Sequence, residues 1–114
     1  MNQARIRTLA AMIEKRYKTN PERFNMRYTN TSILGCLFYL DDYEGEHNFE
    51  DAADYLDLDT AQATSLFNPR SELENWNTRP ADALKAITAN HAAACLRNLA
   101  HRGVVNWPMT AHRR

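Results

Sequence analysis

The stretch from Thr88 to Trp107 constrains the fold of this chain more than any other part of its sequence. Its apolar residues recur at intervals of three and four, which places them on one face of a helix: Ala92, Cys95, Leu96 and Leu99. Thr88 is suited to cap the first N–H groups of this helix, and Gly103 is suited to the left-handed conformation that ends one. A helix with both end signals and a continuous apolar face has to bury that face, so this segment predicts the centre of the core.

Two earlier segments are predicted to form helices that pack against it. The first runs from about Gln3 to Tyr17 and has an apolar stripe on one side: Ile6, Leu9, Ala10, Ile13 and Tyr17. The second runs from Ile33 to about Tyr43 and is apolar on nearly every side, which is typical of a buried, central helix. Gly35 weakens this second helix, so its presence indicates a close approach to a neighbouring segment.

A short strand is predicted between these two helices. Phe24, Met26 and Tyr28 alternate with polar residues, which is the pattern of a half-buried strand. It can pair with a second short strand at residues 104–107, where valines and a tryptophan precede a proline. The alternative is an ordered loop held in place by its aromatic side chains.

Capping signals predict two more short helices. Asn48 with Asp51 resembles a capping arrangement for a helix over 49–56, and Asp59 with Gln62 does the same for a helix over 60–67. After these, residues 70–79 are predicted to form a polar loop anchored by Leu73 and Trp76, and residues 80–86 a helical turn.

These elements predict a mainly α fold, a compact bundle of about five helices with at most a small two-stranded ribbon. We assign residues 1–114 to a single helical domain in which residues 110–114 form a frayed tail. No apolar run reaches the roughly 18 residues that span a bilayer, and no apolar signal-peptide core follows the N-terminus, so a cytoplasmic protein is expected. Cys36 and Cys95 lie among apolar residues and are predicted to be reduced and buried.

Charge is distributed unevenly along this chain, although the net charge is zero. Residues 1–30 contain seven Lys or Arg and two Glu, whereas residues 41–59 contain nine Asp or Glu and neither Lys nor Arg. Such a block is usually a solvated face, but clustered charge of one sign also favours partners of the opposite sign. We call seven of its residues the acidic face, the predicted contact for a basic partner protein: Asp41, Asp42, Glu44, Glu46, Glu50, Asp54 and Asp57.

Residues 52–69, AADYLDLDTAQATSLFNP, resemble the helix-turn-helix segment of the lambda-type phage repressors. The resemblance implies two helices that touch at the small residue Ala53, with Leu56 and Leu66 among the apolar positions and a second helix that reads DNA. The turn carries Asp57 where that family usually has glycine, and acidic residues at this place repel a phosphate backbone.

The alternative function is therefore that of a helix-turn-helix transcriptional regulator. Its predicted DNA contacts come from the second helix and from basic residues elsewhere in the chain: Thr60, Gln62, Thr64, Arg79, Arg97 and Arg102. The passage from Leu96 to Trp107 also resembles the recognition helix and wing of winged-helix domains, which favours the same alternative.

A wider pattern covers most of the chain. A first helix and a Cys-containing apolar helix precede A-A-x-x-L-x-L-x-x-x-x-A-x-x-L-F at 52–67, Trp76 in a loop, and A-x-x-x-L-x-x-L-x-x-x-G-x-V-x-W at 92–107. This pattern resembles a family of small, uncharacterised bacterial and phage proteins. The resemblance implies the fold and a phage or mobile-element setting, and it implies no activity.

No pattern in the sequence indicates catalysis or a bound cofactor. No Ser or Cys has a recognisable His-and-acid setting, and the three glycines form no phosphate-binding loop. His91 and Cys95 have the spacing of two metal ligands but lack the others, and the carboxylates of residues 41–46 lack the spacing of a calcium loop. We therefore expect a protein that is not an enzyme and that has no catalytic residues, metal or cofactor.

The favoured interpretation is a non-catalytic macromolecule-binding protein. In that interpretation a phage or mobile-element accessory or inhibitor protein uses its acidic face for protein–protein interaction with a basic surface, without a membrane partner. DNA is the partner in the alternative interpretation, and neither one indicates an oligomeric state.

Overall fold

A computed structural model describes residues 1–69 and 84–107 of the chain. Five α-helices have their bounds in these two ranges: α1 (Gln3–Arg16), α2 (Ile33–Phe38), α3 (Phe49–Leu56), α4 (Thr60–Phe67) and α5 (Ala89–Arg102). Two short 3-10 helices, Pro21–Arg23 and Thr29–Thr31, lie between α1 and α2, and residues 84–86 are also helical. The radius of gyration is 13.1 Å, close to the roughly 13 Å of a compact domain of this length. The predicted mainly α bundle is confirmed.

Both predicted ends of α5 are confirmed. The Thr88 hydroxyl accepts a hydrogen bond from the His91 N–H at 3.1 Å, and the His91 ring nitrogen Nδ1 accepts one from the Thr88 N–H at 3.3 Å. The two residues therefore satisfy each other's free donors at the start of the helix. At the other end Gly103 has a φ of 76°, and its N–H donates to the Leu99 carbonyl at 2.8 Å. His91 thus serves as part of the helix cap.

The core lies between α1 and α5, which make the most extensive helix–helix contact of the described residues. Glu14 and Tyr17, at the end of α1, line the same cleft as Thr88 and Ala89, so the two helices run antiparallel. The predicted stripes meet in this contact, where the larger side chains are fully buried: Ile6, Leu9, Ile13, Leu96 and Leu99. Burial of such side chains is the main stabilising term in a helical domain of this size.

Helix α2 is buried as predicted but shorter than predicted. It ends at Phe38, after which the Tyr39 N–H donates to the Cys36 carbonyl three residues earlier. The Leu40 and Tyr43 N–H groups also donate to carbonyls three residues earlier, both at 3.1 Å, so turns replace the helix although Leu40 stays buried. A Cβ on Gly35 would lie 2.4 Å from the Thr29 carbonyl oxygen, which confirms the predicted close approach to a neighbouring segment.

The predicted strands and the ribbon are wrong for the residues that the structure describes. Phe24 and Met26 are buried, but the two 3-10 helices lie on either side of them, so the segment is the ordered loop of the alternative interpretation. Trp107 is buried because its indole N–H donates to the Ser65 carbonyl at 2.9 Å, without any strand at residues 104–107. Alternate burial over a few residues arises equally in a loop that crosses the core, and a strand needs a paired partner.

Several predictions fall outside the described residues. These are the loop at residues 70–79 with Leu73 and Trp76, most of the turn at residues 80–86, and the tail at residues 110–114. Within the described ranges, no helix has the length and hydropathy that crossing a membrane requires.

Candidate functional site

All seven residues of the acidic face are exposed. They lie on the segment that joins α2 to α3, on the outer side of α3, and in the turn after α3. The seven carboxylates therefore lie along one segment of the chain around α3, where they are exposed to water.

Two of the seven carboxylates have partners within the chain. Asp42 accepts a short hydrogen bond from the Tyr55 hydroxyl, and Asp57 pairs with the Met1 ammonium at 2.7 Å. Hydrogen bonding to this ammonium, and its charge, lower the pKa of Asp57. The remaining carboxylates make no side-chain hydrogen bond or ion pair with any described residue: Asp41, Glu44, Glu46, Glu50 and Asp54.

The two acids of this block outside the acidic face stabilise helix ends. Asp51 accepts from the Glu46 N–H at 2.8 Å, which closes the loop before α3, and Asn48 accepts from the Asp51 N–H at 2.8 Å. Asp59 accepts from the Gln62 N–H at 2.7 Å and completes the capping box of α4. The predicted caps of both helices are thus confirmed, and these carboxylates serve the fold.

A cleft of about 360 Å³ opens within the acidic face. Asp42, Glu44 and Asp54 line it, together with the rings of Tyr43 and Tyr55. The two rings meet edge to face, with their centroids 5.2 Å apart. An aromatic wall surrounded by carboxylates is a suitable environment for a cationic side chain.

Arg5, from α1, already occupies one side of this cleft. Its guanidinium lies 4.2 Å from the centre of the Tyr55 ring and donates to the Tyr55 carbonyl at 2.9 Å. The Asn2 N–H donates to the neighbouring Leu56 carbonyl at 2.8 Å. The start of α1 therefore satisfies the free carbonyls at the end of α3 and fixes the position of the cleft.

The tyrosines of the cleft remain neutral hydrogen-bond donors over the physiological pH range. Burial, together with the hydrogen bond to Asp42 and the charge of that carboxylate, raises the pKa of Tyr55 to about 12. Burial also raises the pKa of Tyr43, whose hydroxyl donates a short hydrogen bond to the Glu46 carbonyl. The negative charge of the cleft therefore resides on its carboxylates alone.

The sequence did not indicate Arg5 or Tyr55 as parts of this site. Arg5 lies 50 positions before Tyr55 and belongs to the polar side of α1. Tyr55 lies beside the predicted stripe of α3 and is buried with it. Only the helix packing brings these two residues together, so no local pattern could have identified them.

The turn between α3 and α4 accommodates Asp57 in the left-handed conformation, with φ 55° and ψ 51°. The Leu58 N–H donates to the Ala53 carbonyl at 2.9 Å and the Asp57 N–H to the Asp54 carbonyl at 3.0 Å. This is the bonding pattern that a glycine commonly provides at a helix end. Aspartate tolerates it better than most residues, so the absence of glycine is no obstacle to a tight turn here.

The structure does not bring all the predicted DNA contacts together. Gln62 donates to the Gly103 carbonyl at 3.1 Å, which places the start of α4 beside the end of α5 and its exposed Arg102. Thr60 and Thr64 are exposed on α4. Arg97 instead forms an ion pair with Glu14 of α1.

Two of the predicted DNA contacts do not contribute a free side chain to the described surface. The Gln62 side chain accepts from the Asp59 N–H at 3.1 Å and donates to Gly103, so both of its ends are engaged within the chain. Arg79 lies outside the described residues. On the described part of the surface, Arg102 is therefore the one predicted cation without an ion-pair partner.

Cys36 and Cys95 are both buried, and no disulfide joins them. Burial raises the pKa of the Cys36 thiol, which keeps it protonated. Among the residues that the structure describes, no group of three His, Cys, Asp or Glu side chains is arranged to hold a metal ion.

The chain has no significant match to a protein-family model, a curated protein or a solved structure. The resemblances to phage repressors and to small phage proteins therefore stay predictions.

Proposed function

We propose that this chain is a non-catalytic interaction protein whose acidic face binds a basic surface of a partner protein. The observation that carries the proposal is that Glu44 and Asp54, which pair with no described residue, line a tyrosine-walled cleft in the acidic face. The resemblance to small phage proteins favours an accessory or inhibitor role in a phage or mobile element.

The carboxylates without described partners support this function because no described hydrogen bond or ion pair requires them, although Glu50 also suits the first turn of α3. Asp51 and Asp59 stabilise helix ends, whereas Glu50 and Asp54 project from the same helical region without a described partner. Like charges placed side by side repel one another and oppose folding slightly, and a basic partner relieves this repulsion. Such a surface accelerates encounter with a cationic protein and disfavours anionic ones.

The position of Arg5 indicates how a partner's arginine or lysine would be held. Arg5 stacks on one ring of the cleft, with carboxylates at its rim. The second ring, Tyr43, and the free carboxylates Glu44 and Asp54 line the rest of the cleft. We propose that a basic side chain of the partner enters there and that the surrounding acids contact its neighbours.

An NMR titration with a nona-arginine peptide tests the proposal. We expect the largest amide shifts at residues 41–57, and we expect them to diminish as salt is added. The double variant Glu50→Lys/Asp54→Lys should weaken peptide binding by at least about fivefold, because each exposed ion pair is worth up to about 1 kcal/mol and is replaced by repulsion.

Glu22→Lys is the matched control. Glu22 is exposed, has no described partner, and lies outside the acidic face. Glu22→Lys therefore changes the net charge by as much as each substitution of the double variant does. If Glu22→Lys weakens binding as much per charge as the double variant, or if the peptide shifts other residues, the acidic face is not the contact surface.

A specific observation also favours the alternative, a helix-turn-helix DNA-binding regulator. The turn at Asp57 has the left-handed geometry that the repressor family obtains with glycine, and the Met1 ammonium partly offsets the Asp57 charge. We rank it second because Asp54 and Asp59 flank the same turn and α4 contains no basic residue.

Titration of a fluorescent random duplex at about 150 mM salt separates the two functions. Non-specific DNA-binding proteins have dissociation constants of about 10⁻⁴ to 10⁻⁶ M there, and we expect weaker binding for this chain. Micromolar binding that weakens with salt and strengthens in the Asp54→Lys variant would instead establish the DNA-binding alternative.

A further inference from the structure

A second charged surface lies at the end of α1 and in the loop that follows, and the acidic-face proposal does not use it. We call it the basic–aromatic surface. Arg16 joins its two central parts, because it shares a cavity with Arg23 and lies on the ring of Tyr39, and Arg27 with Tyr28 forms a separate pair in the following loop. We propose that this surface binds single-stranded nucleic acid, with phosphates on its arginines and bases stacked on its tyrosines.

The cations of this region are unpaired. Residues 15–31 contain five Lys or Arg, all of them exposed, and none forms an ion pair with a described residue. Glu22 is the one acid in the same stretch, and the nearby Glu14 is already paired with Arg97. The cations are therefore available to neutralise phosphate groups.

Arg16 and Arg23 face a common cavity of about 230 Å³. Tyr17, Asn20 and Thr31 complete its described lining, which contains no carboxylate. Two guanidinium groups at one cavity provide a bidentate, charge-assisted site for a phosphate. The cavity lies where α1 ends and the first 3-10 helix begins, so rigid elements position both arginines.

Two tyrosines of this surface are unusually exposed. Tyr28 is 56% exposed and Tyr39 is 57% exposed. The Arg27 guanidinium lies 5.5 Å from the centre of the Tyr28 ring, and the Arg16 guanidinium lies 4.8 Å from that of Tyr39. Each ring is therefore accessible to a ligand and adjacent to a cation.

This combination favours a single strand over a duplex. An exposed ring stacks on an unpaired base, whereas the bases of a duplex are stacked on one another and inaccessible to it. Arg16 contacts the Tyr39 ring and also lines the cavity that it shares with Arg23. The proposed base contact and the proposed phosphate contact therefore lie next to each other. Because Asp41 and Asp42 follow Tyr39 closely in the chain, charge alone is a weak attraction, and stacking has to contribute.

Fluorescence anisotropy with a labelled twelve-nucleotide oligothymidylate at about 50 mM salt tests the proposal. We expect saturable binding that weakens with salt. Arg23→Gln should reduce the slope of log affinity against log salt by about 0.7, the value of one phosphate contact on a single strand. Arg7→Gln removes the same charge from an exposed position of α1 outside the cavity and should leave the slope nearly unchanged.

The stacking contacts are tested separately. Tyr39→Ala should weaken binding by about fivefold or more, the usual effect of removing one aromatic platform, whereas Tyr39→Phe keeps the ring and should bind like the wild type. An abasic oligonucleotide of the same length should also bind more weakly. An oligouridylate of equal length distinguishes RNA from DNA as the preferred strand. Circular dichroism of each variant checks that its fold is retained.

Four outcomes would overturn the proposal. The first is absence of binding at about 100 μM protein. The second is equal affinity for a duplex or for the abasic strand, which would indicate attraction by charge alone. The third is an equal loss of affinity in Arg7→Gln and Arg23→Gln. The fourth is displacement of the oligonucleotide by polyglutamate at equal charge concentration, which would indicate an acidic protein as the ligand.

Discussion

The acidic face and the basic–aromatic surface carry opposite charges, and the fold treats these charges differently. Within the acidic block, Asp42, Asp51, Asp57 and Asp59 each accept a hydrogen bond from another part of the chain. Within the basic–aromatic surface no arginine forms an ion pair with a described residue, and the guanidinium groups of Arg16 and Arg27 lie on tyrosine rings instead.

The difference arises from what each ion can bond to at a helix end. Carboxylates accept hydrogen bonds from the unpaired N–H groups at helix starts and turns. Some of the acids near α3 and α4 are therefore engaged within the fold. Arginine donates only, and the carbonyls at the end of α1 are satisfied in part by the backbone N–H of Tyr17. The acidic block therefore contains carboxylates that stabilise the fold and carboxylates without a described partner, whereas no exposed cation of the basic–aromatic surface has an ion-pair partner among the described residues.

Both surfaces depend on α1, because Arg5 lies in the acidic cleft and Arg16 in the basic–aromatic surface. Leu96→Ala should therefore have the largest effect of all. Leu96 is fully buried in the α1–α5 contact, and its truncation should reduce the free energy of unfolding by about 2–5 kcal/mol. Urea denaturation measures this loss. A denaturation midpoint of Leu96→Ala equal to that of the wild type would show that the core is misplaced. Arg97→Gln is the control, because it lies on the exposed side of α5 and should change stability by less than about 1 kcal/mol.

Gly35→Ala should disturb the two surfaces unequally. The new Cβ would lie 2.4 Å from the Thr29 carbonyl oxygen and 2.6 Å from that of Asn30, so the backbone next to Tyr28 has to move. We expect a loss of about 1–3 kcal/mol in unfolding free energy, with NMR shifts larger at residues 24–31 than at residues 41–57.

Gly103→Ala is the comparison for that variant. Its Cβ meets nothing within 4 Å, but φ is 76°, so the cost of about 1–2 kcal/mol comes from backbone strain alone. Equal shifts at both surfaces in Gly35→Ala would show that the loop at residues 24–31 is not specifically supported by α2.

The division of the acids into structural and free ones is tested by two aspartates. Asp59→Ala removes the capping box of α4 and should cost about 0.5–2 kcal/mol in unfolding free energy. Asp54→Ala has no described side-chain partner to lose and should change stability by less than about 0.5 kcal/mol. Thermal denaturation at neutral pH compares them, and an equal loss in both variants would contradict the division.

At neutral pH Tyr55→Phe should cost about 1 kcal/mol in unfolding free energy, for the lost hydrogen bond to Asp42. Its effect on pH dependence is more specific. Because the folded-state pKa of Tyr55 is raised from 10.0 to about 12, its contribution to stability is complete below pH 10 and is lost as pH rises towards 12.

Tyr55→Phe should therefore reduce the fall in unfolding free energy between pH 10 and pH 12, measured by urea denaturation at several pH values. Tyr28→Phe removes an exposed hydroxyl and serves as the control. If the fall is equally steep in Tyr55→Phe and in the wild type, the hydroxyl is not held by Asp42 in the way the structure describes.

Local signals in the sequence were sufficient where one residue interacts with its near neighbours. The Thr88 cap, the Asp59–Gln62 capping box and the left-handed Gly103 involve residues at most four positions apart, and all three were predicted, whereas the part of His91 in the Thr88 cap was not. The same reasoning failed for the strands, because alternate burial over a few residues does not specify what the segment packs against.

The same distinction between local and long-range interactions applies to the two candidate sites. The sequence by itself determined that α3 and the segment before it carry a dense block of acids and that residues 1–30 are rich in cations. It could not determine which acids the fold consumes, because Asp42 is engaged by Tyr55 and Asp57 by Met1 across long stretches of chain. The Asp42–Tyr55 pairing depends on how the segment after α2 packs on α3, and the Asp57–Met1 pairing depends on the docking of α1 against α3.

Only the tertiary structure placed Arg5 on the Tyr55 ring and Arg16 on the Tyr39 ring. Helix formation, capping and the segregation of charge depend on interactions within a few residues, and the sequence by itself determined them. The cleft of the acidic face and the cavity between Arg16 and Arg23 are both formed by residues from separate elements. These elements meet only after the apolar stripes of α1 and α5 are buried together. Burial of apolar area is non-directional, so the positions of the polar groups around it are decided by the packing of the whole chain.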